Sequence, residues 1–145
     1  MYESLTKYLD VFKEERFGEW VIDENKVHFP YVNYDEAVRN FLGDVMAFVD
    51  AHEEMRLTNY YDILEDLGIE PSAEAMAEVD PDDLDGRALM ALIVASMRGE
   101  RFCDGFLLHL LHEGCVVKWL KRLDEIDGNE QASNRRTIEE HKGTR

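Results

Sequence analysis

The spacing of apolar residues along the chain predicts a mostly helical protein. From Ser4 to Glu15, Leu5, Tyr8, Leu9 and Phe12 recur at the intervals of one helical face. Gly18 ends that period and a shorter one takes over. Trp20 and Ile22 alternate with polar neighbours, and Val27 and Phe29 do the same after a D-E-N-K turn. Period two on both sides of a polar turn predicts a β-hairpin, ended or confined to an edge by Pro30. Asn33 with Glu36 three residues later has the form of a capping box. It opens a helix to about Glu54, with Val38, Phe41, Leu42, Val45, Phe48 and Val49 on the buried side. Asn59 caps a short helix through Ile63, Leu64 and Leu67, which Gly68 stops. Pro71 and Ser72 then open a helical turn through Ala73 to Val79.

Asp80-Pro81-Asp82-Asp83 joins a capping aspartate, a proline suited to the first helical position, and acids at the positive dipole end. It predicts the start of a helix that carries Leu89, Leu92, Ile93 and Met97 to the core and runs on through Arg101. Asp104-Gly105 marks a bend or close contact. Helix resumes from Phe106 to Glu113, Gly114 stops it, and a last helix covers Val116 to Asp127. Its apolar stripe is Val116, Val117, Leu120, Leu123 and Ile126. Trp119 falls off that stripe beside Lys118, Lys121 and Arg122, which predicts an exposed aromatic on a basic face. From Gly128 to Arg145 only Ala132 and Ile138 are apolar. The expected fold is therefore mainly α, a single helical domain of five or six helices with a small N-terminal β-hairpin. Residues 1–128 form that domain, and 129–145 a flexible C-terminal tail.

Composition supports this reading. A chain of 145 residues, 45% of them hydrophobic, fits one domain with its own core. No apolar run approaches the ~18 residues of a membrane span. The N-terminal segment lacks a basic stretch followed by an apolar one, so no secretory signal is expected. Cys103 and Cys115 lie in apolar, helix-prone sequence without a CxxC pattern, which predicts reduced structural thiols.

Charge changes the picture more. The formal net charge is −16, and residues 1–97 alone carry 23 acidic and 7 basic side chains. Between Asp50 and Asp85, 13 carboxylates stand against a single basic residue, Arg56. Residues 98–122 reverse the balance, with 5 basic and 3 acidic. Such a field repels phosphate backbones and anionic lipid, so nucleic acid and membrane are excluded as expected partners. Basic protein partners, or the chain itself, remain.

The most suggestive chemistry lies in Arg98-Gly-Glu-Arg-Phe-Cys-Asp104. On a continuous helix Glu100 and Asp104 fall on one face, with Arg101 three residues from Asp104. Two carboxylates beside a guanidinium bind a cation or a basic group, or form an ion-pair lattice that orients a helix end; the lattice is the expected role. His109 and His112, three apart, can reach one point, but HExxH and HxxEH are both missing and no third ligand is evident. They are secondary metal candidates, and no metal or other cofactor is expected. With Gly86 at the sixth position, an EF-hand loop would need acids at Pro81 and Leu92. No Glu is followed three residues later by Glu or Asp, no His is followed by Asp, and P-loop, GxGxxG and GxSxG motifs are lacking. Trp20, Phe29, Tyr31 and Tyr34 cluster along the hairpin and its exit, as a ligand or partner surface or as the hairpin's attachment to the helices.

Four segments together, FGEWVID, PYVNYDEAVRNF, ALMALIVASMRGERFCDGFLLHLL and KWLKRLDEID, resemble an uncharacterised bacterial family known by a domain-of-unknown-function label. The resemblance spans about residues 5 to 127, and ERFCDG at Glu100 to Gly105 is its most specific piece. It implies a cytoplasmic bacterial protein and supplies no reaction. Three functional expectations follow. The first is a non-enzymatic interaction module that self-associates through Trp119 and its basic helix face. The second is a small enzyme or ligand-binding domain centred on Glu100, Arg101 and Asp104. The third is an acidic nucleic-acid mimic that captures a basic protein. No catalytic residue is assigned.

Overall fold

The computed structural model describes residues 1–13, 16–22, 24–25 and 29–143, with the backbone alone for 131–143. It is mainly helical with one two-stranded antiparallel sheet near the N-terminus. The first apolar face is divided between α1 (Glu3–Thr6) and α2 (Tyr8–Phe12), joined at Lys7. It docks on α3 (Glu36–Ala51), whose Val38, Phe41, Val45, Phe48 and Val49 are buried, as the spacing predicts. The Tyr8 ring packs against Phe12 and Phe41. Its hydroxyl donates to Asp44 at 2.6 Å, and Lys7 pairs with the same carboxylate at 3.2 Å. Tyr8 and then Lys7 hold the Asp44 carboxyl below its usual range.

A hairpin is present, and the strand that pairs with the first lies beyond Pro30. Strand β1 (Gly18–Val21) pairs with β2 (Tyr31–Tyr34), Gly18 opposite Tyr34 and Trp20 opposite Val32. Phe29 of the expected strand is 91% exposed, and Val27 lies outside the described residues. Alternation recurs at 31–34, where the inward side chains, Val32 and Tyr34, meet the core. Tertiary packing thus fixes the register of the strand after Pro30. Asn33 is consumed in the ladder opposite Glu19, so no capping box forms and Asp35 precedes α3 instead.

Beyond α3, α4 (Tyr60–Asp66) ends at Leu67, and Gly68 turns the chain with φ +71°. The Ile69 N–H then reaches back to the Leu64 carbonyl at 2.9 Å, the bond of a Schellman stop. α5 (Ala73–Glu78) is capped by the Ser72 hydroxyl. Asp80 caps only a 3₁₀ turn over Pro81–Asp83. The long helix begins one turn later, at α6 (Gly86–Gly99), where Asp85 accepts the Ala88 N–H at 2.8 Å. Two aspartates suited to capping lie five residues apart, and the chain uses both. α6 is buried continuously from Ala88 to Ser96 and forms the axis around which α4, α7 (Phe106–His112) and α8 (Cys115–Gly143) pack. It stops at Gly99, short of the Arg101 expected.

The largest correction concerns Trp119. It is 1% exposed, and with Cys115, Val116, Leu120, Leu123 and Asp127 it makes up the inward side of α8. Helical spacing itself places Trp119 there: Val116, Trp119, Leu120 and Leu123 fall at i, i+3, i+4 and i+7, while the partly buried Val117 and Ile126 lie at the two edges of that face. Lys118 and Lys121 remain exposed without the tryptophan. Asp127 closes the other end of the core by accepting the Tyr2 backbone N–H at 2.8 Å. α8 continues as backbone helix to Gly143, and the expectation of an unpacked tail falls on side chains outside the described residues.

Candidate functional site

Between α6 and α7 the chain makes a tight turn rather than a helix, so the spacing argument for Glu100, Arg101 and Asp104 does not hold there. The Phe102 and Cys103 N–H groups both return to the Gly99 carbonyl. Gly105 adopts φ +88°, a left-handed conformation that disfavours any side chain. A side chain at Gly105 would also strike the Trp20 ring. The glycine thus permits two things at once, the reversal into α7 and the seating of a hairpin tryptophan on backbone.

Glu100 turns inward from this turn. Its carboxylate accepts the Tyr34 hydroxyl at 2.7 Å, the Gly105 N–H at 2.9 Å and the Leu107 N–H at 3.3 Å. The Tyr34 oxygen in turn accepts the Leu108 N–H at 3.1 Å. The first N–H groups of a helix have no partner within it, and Gly105 has no side chain to cap them. Here the cap of α7 comes from elsewhere in the chain: Glu100 supplies one oxygen and the hairpin residue Tyr34 another. Capping α7 and docking the hairpin are therefore one event.

Burial, then the bond to Glu100, raises the Tyr34 hydroxyl pKa. Burial likewise raises Tyr2 and Tyr8 to about 12, with Asp127 contributing at Tyr2 and Asp44 at Tyr8. A tyrosine held above its unfolded value of ~10 adds stability in full below pH ~10. That stability drains as pH rises through the folded pKa, because the unfolded chain gives up the proton first. Denaturant unfolding should therefore show stability falling between pH ~10 and ~12. Tyr8→Phe, which has no phenol to titrate, should flatten the fall.

The remaining candidates are dispersed. Arg101 and Asp104 are exposed, and among the described residues neither makes a side-chain hydrogen bond or ion pair. The expected lattice is replaced by a carboxylate bonded to a phenol and to backbone, because the turn points Glu100 away from its neighbours. His109 and His112 are both exposed, and the His112 ring lies 5.6 Å from that of Phe17. No three His, Cys, Asp or Glu side chains among the described residues gather as a metal site. Cys103 is an exposed free thiol; Cys115 is buried, and burial pushes its pKa up.

The turn and the hairpin instead bring apolar groups into the open. Phe102 is 82% exposed, Ile22 71% and Trp20 47%; Phe29 is exposed on the hairpin as well, and Tyr31 on its opposite face from Trp20. Sequence reasoning noted the hairpin aromatics but passed over Phe102. Its signal was an aromatic flanked by Arg101 and Cys103 in a segment with no apolar period. A groove of about 500 Å³ lies on another side, between Phe12, Phe17, Leu111, His112 and Val117.

The model of a family of unknown function, DUF6508, matches residues 2–129. The chain belongs to that family. The DUF6508 match includes the hairpin, the turn and α7, so the Glu100–Tyr34 knot falls wholly inside it. No curated protein and no solved structure matches the chain. No helix among the described residues is long and apolar enough to cross a membrane.

Proposed function

We propose that this DUF6508 chain is a non-enzymatic protein-interaction module whose contact surface is the aromatic hairpin together with the turn on which it rests. The observation that carries this reading is the exposure of Trp20, Ile22, Phe29 and Phe102 on two segments held together through Gly105 and Glu100. Large apolar side chains gathered on a surface favour a partner, and aromatic residues are the commonest anchors of protein interfaces. Glu100, the carboxylate best placed for acid–base chemistry, is already bonded to Tyr34 and two backbone N–H groups, which supports scaffold work over catalysis. Self-association through Trp119 is not retained, since that side chain is core.

The test is site-specific photo-cross-linking in the native cells. A benzophenone side chain at Phe29 or Phe102 should give discrete protein adducts, while one at exposed Lys118 should not. Adducts at Lys118 with none at either hairpin or turn position would remove the reading.

A further inference from the structure

The aromatic surface rests on a chain with an unusually one-sided charge, and the two features together define an occupant. All 13 carboxylates between Asp50 and Asp85 are exposed, and none forms an ion pair among the described residues. Asp50 lies at the end of α3 and the others on α4, α5 and the adjoining turns, and α4 packs along α6, the helix that leads into the Phe102 turn. In sequence, the hairpin and turn segments are near balance: Arg16, Arg98 and Arg101 stand against Glu19, Glu24, Asp35 and Asp104. Attraction thus comes from the field of the whole molecule, and contact from apolar side chains. A second copy of the chain, also at −16, meets repulsion on approach.

We infer that the surface built from Trp20, Phe29 and Phe102 receives a basic amphipathic segment of another protein, drawn in by the acidic field and held by the aromatic side chains. This rests on the reading of that surface as the contact site. Charge acting at a distance governs the rate of encounter and is screened by salt, whereas desolvated aromatic contacts govern the rate of escape. Association and dissociation therefore answer to different parts of the molecule.

The experiment uses the full chain and a synthetic Leu/Lys amphipathic peptide, followed by stopped-flow tryptophan emission. Of the two tryptophans Trp119 is buried, so the signal comes from Trp20. Raising ionic strength from low to physiological should slow association about tenfold with little change in dissociation. Phe102→Ala or Phe29→Ala, both at exposed positions, should speed dissociation about tenfold and leave association unchanged. A Ser/Lys peptide of equal charge should bind far more weakly. Equal binding by the Ser/Lys peptide would overturn the inference, as would sedimentation showing a dimer that Phe102→Ala dissociates. If photo-cross-linking at Phe102 captures a protein whose contacting segment is acidic or uncharged, the inference fails while the contact surface stands. No adduct at the hairpin or turn removes the surface itself.

Discussion

Trp119→Ala is expected to destabilise the protein by about 3–5 kcal/mol, the range for removing a large aromatic from a packed interior. The side chain is among the largest fully buried ones, and it lies on α8 where α1, α2, α6 and α7 converge. No single neighbour can move to fill the space, so the loss of transfer energy is joined by a cavity term. For a chain of this length the melting temperature should fall by about 10–15 °C. The same change should leave the association state of the folded protein untouched. An unshifted melting curve, with a change only in oligomer size, would restore Trp119 as a surface contact.

Glu100→Ala is expected to cost about 2–4 kcal/mol, since it strands the Gly105 and Leu107 N–H groups and leaves the Tyr34 hydroxyl without its acceptor. The loss should be local before it is global. Hydrogen exchange at Leu107 and Leu108 should accelerate, and Trp20 emission should shift as the hairpin lifts from Gly105. Arg101→Ala, one residue away, should stay within about 0.5 kcal/mol of wild type, because its side chain is exposed and unpaired among the described residues. The contrast separates a scaffold carboxylate from a catalytic one. If Glu100→Ala matched wild type in stability while Arg101→Ala unfolded the chain, the ion-pair lattice first read from the spacing would be right.

Much of the architecture was legible because it follows from local rules. Period 3.6 places Val38, Phe41, Val45 and Phe48 on one side whatever they meet, and the apolar run Ala88–Ala95, rich in Ala, Leu and Met, reads as a buried helix. Gly68 and Gly114 stop helices by backbone conformation alone, with φ +71° and +78°. The net charge and its concentration in Asp50 to Asp85 need no fold to be known.

What the sequence left open was decided wherever two local readings were equal and distant contacts broke the tie. Val27–Phe29 and Tyr31–Tyr34 carry the same alternation, and the pairing strand at Tyr31–Tyr34 is the one whose Tyr34 reaches Glu100, 66 residues away. Trp119 is a different case: it shares one helical face with Val116, Leu120 and Leu123, so the i, i+3, i+4, i+7 spacing already makes it core, and Lys118 and Lys121 lie off that face. Glu100 read as one of a charged trio because helical spacing was extended past Gly99. The turn there, made possible by the left-handed Gly105, gave it a tyrosine and backbone N–H groups instead. Periodicity records what a residue does within its own helix or strand. Which partner it meets depends on loop closure over tens of residues, and only the assembled structure supplies that.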